Sequence, residues 1–137
     1  MVFGIEVNLL AVLVAAIVSM IIGYLWYGPL FGKYWMKLSG HSMASMKKMK
    51  MTPMMAMFLM FIGSLITAYI LGVVVGLANA GTIAEGAMVG FWVWLGFAMP
   101  LHAGVFLWEG KPVNLFWLNT FQYLITILIM ASILAVW

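Results

Sequence analysis

The sequence contains no cysteine, no arginine and no aspartate. Without cysteine there can be no disulfide, thiolate metal site or thiol nucleophile. Without aspartate and arginine, the usual phosphoryl-transfer machinery and the Asp- or Cys-based triads lack their parts. Charge of either sign is scarce: six lysines and three glutamates in 137 residues. A chain so poor in charge cannot present the surface that keeps a soluble domain dispersed. What it has instead is apolar side chains, 67% of the total, gathered in four blocks at roughly 5–27, 53–78, 85–107 and 113–137. Each block is near the ~20 residues that cross a hydrocarbon core. The expected fold is an all-α membrane protein, with four transmembrane helices in an up-down bundle forming a single domain over 1–137. What remains is the connection 28–52 and two turns, too little for a separate soluble domain.

The first block is read as a retained span. Glu6 stands where a signal peptide carries basic residues, and no cleavage site is obvious. Lys33, Lys37, Lys47, Lys48 and Lys50 fall in the first connection, and Lys111 falls in the third turn. Lysine-rich short loops stay cytoplasmic, which predicts a cell-membrane protein with loop 28–52 inside and both termini outside. Anionic lipid explains a juxtamembrane lysine patch, so the bilayer is the expected partner and nucleic acid is not.

Ala11, Ala15, Ser19 and Gly23 recur every four residues in the first block, and Ser64, Ala68, Gly72 and Gly76 do so in the second. In lipid, small residues let helix backbones approach and gain dispersion contacts. Both ladders therefore mark close packing, either within one bundle or in a homo-oligomer. The third block adds Gly86 with Gly90, then Gly96, Pro100 and Gly104.

Phe31, Tyr34, Trp35 and Leu38 share one helical face and Lys33 and Lys37 another, predicting a short interfacial helix between the first two spans. Thr52 and Pro53 read as N-cap and first-turn proline of the second span. Glu6 and Glu85 suit helix starts, and Glu109 sits beside Lys111 in a turn. The first and third blocks exit alike, through Trp26-Tyr27-Gly28-Pro29 and Trp108-Glu109-Gly110-Lys111-Pro112, each with an interfacial Trp, a helix-ending Gly and a Pro. Such a match is compatible with a duplicated hairpin, although interface physics alone also produces it.

His102 is the one histidine inside a block, and Pro100 beside it leaves carbonyls near Gly96 short of a donor. Counted from the Gly110 turn, His102 and Asn119 have nearly equal depth on antiparallel helices, and Asn119, Gln122, Tyr123 and Thr126 share a face. A polar core of His102, Asn119, Gln122 and Tyr123 is expected. It serves either as an interhelical hydrogen-bond network or as a small polar site that titrates near neutrality. No catalytic set or carboxylate pair is visible, so neither an enzyme nor a cofactor is expected. Methionines crowd the start of the second span, and Met43, Met46, Met49 and Met51 have spacings permissive for Cu(I). Methionine is also ordinary apolar filler.

The segments Trp26-Tyr27-Gly28-Pro29-Leu30-Phe31-Gly32-Lys33-Tyr34-Trp35-Met36 and Trp108-Glu109-Gly110-Lys111-Pro112-Val113-Asn114-Leu115-Phe116, with Asn119, Tyr123 and the closing Leu134-Ala135-Val136-Trp137, carry a resemblance across nearly the whole chain. The sequence resembles the domain of unknown function 1761 family of small prokaryotic integral membrane proteins. That resemblance implies a four-helix membrane fold and assigns no activity and no catalytic residues; the Met-rich connection departs most from the family pattern. Two functional readings remain open. One is a non-enzymatic protein whose polar core binds or passes a small solute, ion or proton, as an oligomer. The other is an accessory or scaffold subunit that packs against partner helices, with Cu(I) handling by the Met-rich loop as a minor alternative.

Overall fold

Helix starts in this chain are set by side chains that satisfy the first free backbone amides. Asn8 Oδ1 accepts from the amides of Leu10 and Ala11 at 2.9 and 3.2 Å. The first helix therefore begins at Leu9 rather than at the expected Ile5, and Glu6 lies outside its first turn. Thr52 caps the second span through the Met55 amide, with Pro53 in the first turn. Thr82 caps the third through the Glu85 amide, while the Glu85 carboxylate accepts back from Gly81 and Thr82, a capping box. Thr82→Ala is expected to cost about 1 kcal/mol of unfolding free energy, read as a lowered unfolding midpoint in mixed micelles.

The computed structural model describes residues 1–40 and 52–137. Its elements are α1 (Leu9–Leu25), extended by a π-helical turn over Trp26–Leu30; α2 (Gly32–Ser39); α3 (Pro53–Leu77); α4 (Ile83–Val93); a second π turn, Trp94–Ala98; α5 (Met99–Glu109); and α6 (Val113–Val136). Leu9–Leu30, Pro53–Leu77, Ile83–Glu109 and Val113–Val136 are each long and apolar enough to cross a membrane. No strand occurs among the described residues. Met43, Met46, Met49 and Met51, and three of the lysines, lie outside them.

α6 is the hub, packed against α1, α3 and α4. Two indoles clip its backbone: Trp26 Nε1 donates to the Leu118 carbonyl at 3.2 Å, and Trp94 Nε1 to the Thr120 carbonyl at 2.8 Å. The expected Trp26–Trp108 correspondence fails here, because Trp108 is exposed and Trp94 makes the matching contact. The exits also differ. Gly110 ends α5 in the left-handed region at φ +67°, whereas Gly28 does not stop its helix, which runs on through Pro29 to Leu30. The duplicated-hairpin reading loses its support at both positions.

Both ladders pack inside the bundle. Ala11, Ala15, Ser19, Ala68 and Gly72 are buried, and Val12, Ala15, Ala68, Leu71, Val75, Met130 and Ala131 form one core. A Cβ at Gly72 would meet both Val7 and Leu134, so the two chain termini lie at the same end. At the other end, Trp35 and Leu38 of α2 pack on Phe106, Leu115 and Phe116. α2 is thus docked on the last hairpin by its aromatic face, leaving Lys33 and Lys37 exposed. Those two lysines make this the lysine end of the bundle.

Candidate functional site

The α1–α3 seam is tight only where both helices carry small residues. On α3 the ladder stops at Ser64, whose hydroxyl lies 3.8 Å from Met20 Sδ, and one step earlier in the chain stands Met60. A long thioether at a ladder position keeps the backbones apart. The half of α3 before Gly63 accordingly stands off the bundle: Met57, Phe58 and Met60 are exposed, and Gly63 has nothing within 4 Å of where its Cβ would be. The third span yields on the facing side. Pro100 follows the π turn, in which the Met99 amide reaches back five residues to the Trp94 carbonyl.

Between these helices lies a cleft of about 640 Å³ at the lysine end. α1 contributes Ser19, Gly23 and Tyr27, α3 contributes Ser64 and Thr67, and α6 contributes Gln122, Tyr123 and Thr126. Met20, Met57, Met60 and Met130 complete much of the apolar wall. Among the described residues none of the lining side chains is charged. At its inner limit the cleft meets Met130 and the close-packed core, so it is blind toward the terminal end. Its α3 wall is exposed at Met57 and Met60, about 6 and 10 Å of helix past Pro53.

The four residues expected to form the polar core occupy the lysine-end half but do not make one hydrogen-bonded cluster. Asn119 Oδ1 accepts from the Tyr27 hydroxyl at 2.7 Å. Gln122 Nε2 donates to Thr126 Oγ1 at 3.1 Å. His102 is enclosed by rings, 4.8 Å from Phe106, 5.1 Å from Tyr123 and 5.8 Å from Phe116 between centroids. Its buried Nε2 has no hydrogen-bond partner, and neither does Oγ1 of fully buried Thr120. Gln122 and Tyr123 line the cleft, while His102 sits behind Tyr123, outside the lining.

Tyr27 was read in the sequence only as part of an interfacial exit, and Ser19, Gly23 and Ser64 only as packing residues. Tyr27 closes the first block, whereas Asn119 lies six residues into the fourth, so depth counting alone did not pair them. A double-mutant cycle on Tyr27→Phe and Asn119→Ala is expected to give a coupling of about 0.6 kcal/mol, with about 1.7 as the ceiling, when unfolding is followed in micelles.

A family model described as protein of unknown function (DUF1761) matches residues 10–135. The chain belongs to this family. The match runs from the second residue of α1 to the penultimate residue of α6, so the cleft, lined between Ser19 and Met130, lies wholly within the family region. No curated protein and no solved structure matches the chain. For this member of the DUF1761 family, function has to be argued from the cleft.

Proposed function

We propose that the chain is a non-enzymatic, multi-pass protein of the cell membrane that binds a small uncharged solute in the lysine-end cleft. In this reading the 28–52 connection is cytoplasmic and both termini are outside, as the lysine distribution favours. The observation that carries the reading is the cleft itself. Its volume of about 640 Å³ falls in the range of small-molecule sites, and its walls combine apolar surface with a few convergent hydroxyl and amide groups. Binding fits better than passage of an ion or proton. Among the described residues no charged group lines the cleft, and the Ala15–Ala68–Leu71–Val75–Met130 core closes its inner end. Solvent extraction of protein purified in mild detergent is expected to release one molecular species at about one per chain. Repeated recovery of no species above bulk-lipid background would overturn the reading.

A second reading, the scaffold subunit or homo-oligomer, draws on the third span. A Cβ at Gly96 or Gly104 would meet nothing within 4 Å, whereas one at Gly86 or Gly90 would meet α6. A close-approach surface thus remains open to a partner helix. Under that reading Gly104→Leu abolishes co-purification of a partner; under the solute reading it leaves the extracted species in place.

A further inference from the structure

The chemical class of the ligand follows from one side chain, on the reading that the cleft is a binding site. Gln122 is 6% exposed and lines the cleft. Its amide nitrogen is engaged by Thr126, while its amide oxygen accepts nothing from the described residues. Turning the amide over exchanges the two ends and still leaves one unused. A half-used amide at membrane depth is unfavourable, and a hydrogen-bonding group on a molecule in the cleft would complete it. Gly23 stands beside it with no side chain to fill the space: a Cβ there would lie 3.9 Å from Gln122 Nε2.

Three constraints bear on that molecule. A charged head would be buried among described lining residues that offer no counter-charge. An apolar body fits best, because Met20, Ala98, Ile127 and Met130 line the same cleft as the polar group. Tyr24, Met57 and Met60 on its wall are exposed and belong to membrane-spanning helices, which favours a route in from the acyl chains of the bilayer. We infer that the cleft takes an uncharged membrane amphiphile of the long-chain alcohol or monoacylglycerol class, its hydroxyl bonded to the Gln122 amide and its chain leaving between α1 and α3. Thr126 holds the amide in place as a positioning residue.

The test uses the full chain in lipid nanodiscs and three photoreactive probes sharing one diazirine-bearing chain but ending in hydroxyl, carboxylate or ammonium. Labelled peptides are mapped by mass spectrometry. The alcohol is expected to label α1, α3 and α6 around the cleft, with the two charged probes about tenfold weaker there. Gln122→Met, which keeps the volume and removes the amide, is expected to lower alcohol labelling by about tenfold while leaving the melting curve near wild type. The comparison of heads in wild-type protein stands even where that variant misfolds. Equal labelling of the cleft by all three probes, unchanged in Gln122→Met, overturns the assignment of the ligand class and leaves cleft binding intact. Labelling of the lipid-facing helices with none in the cleft overturns both.

Discussion

Replacing Gly86 by leucine is expected to be the most damaging single substitution in the bundle. α4 meets α6 through glycine: a Cβ at Gly86 would fall 2.7 Å from the Ala131 carbonyl oxygen, 2.8 Å from Ala135 Cβ and 2.9 Å from Ser132 Cα. Those neighbours include helix backbone, which cannot turn aside as a side-chain tip can. Gly90 repeats the contact one turn on, against Ile127 and Ala131. Alanine at position 86 is expected to cost about 1–3 kcal/mol through overpacking. Leucine is expected to undock α4 and yield protein that elutes aggregated or unfolds well below the wild type. The control is the same chemistry where space is open. Gly63→Ala and Gly104→Ala, with nothing within 4 Å, are expected to stay within about 0.5 kcal/mol of wild type or to gain slightly from helix propensity. Unfolding in mixed micelles measures all four variants. Equal losses at Gly86 and Gly104 would show that the α4–α6 contact is not the close one.

Gly23→Phe carries the largest expected functional effect. The Cβ position at Gly23 has one neighbour within 4 Å, Gln122 Nε2 at 3.9 Å, an ordinary van der Waals distance. The added side chain therefore projects into the cleft rather than into backbone. A benzyl group there occupies the space beside Gln122 and removes the site for a solute while the α1–α3 seam at Ala15, Ala68 and Gly72 stays as it was. The expected result is a melting point within a few degrees of wild type, together with loss of more than about nine-tenths of the extractable species, the tenfold step that follows from losing about 1.4 kcal/mol. Retention of the species by a variant that melts near wild type would contradict the assignment of Gly23 to the cleft wall.

The span count, the cap at Thr52 and the ladder positions were legible because each depends on local spacing alone. Hydropathy marks a span, a hydroxyl before an apolar run marks a start, and a four-residue repeat of small side chains marks a seam. The cleft was not legible in the same way. It arises where one ladder stops at Ser64 while the other continues to Gly23, and that mismatch appears only once the register of α1 against α3 is known. The polar core divided for a similar reason. Equal depth put His102 level with Asn119, but depth does not fix rotation. The aromatic rings of Phe106, Phe116 and Tyr123 take up the imidazole while Tyr27, from a helix that depth counting on the last hairpin leaves out, takes Asn119. Pro100 was visible as a missing donor, and its π turn at Trp94–Ala98 is the local consequence.

An electron cryomicroscopy map of the chain in lipid nanodiscs, with a bound antibody fragment to fix orientation, tests the central claim most directly. The predicted result is that α3 before Gly63 stands away from α1 and α6, with non-protein density running from the Gln122 amide out between Tyr24 and Met60. A bundle in which Met57 and Met60 pack directly against α1 and α6, leaving no space beside Gln122, would contradict it.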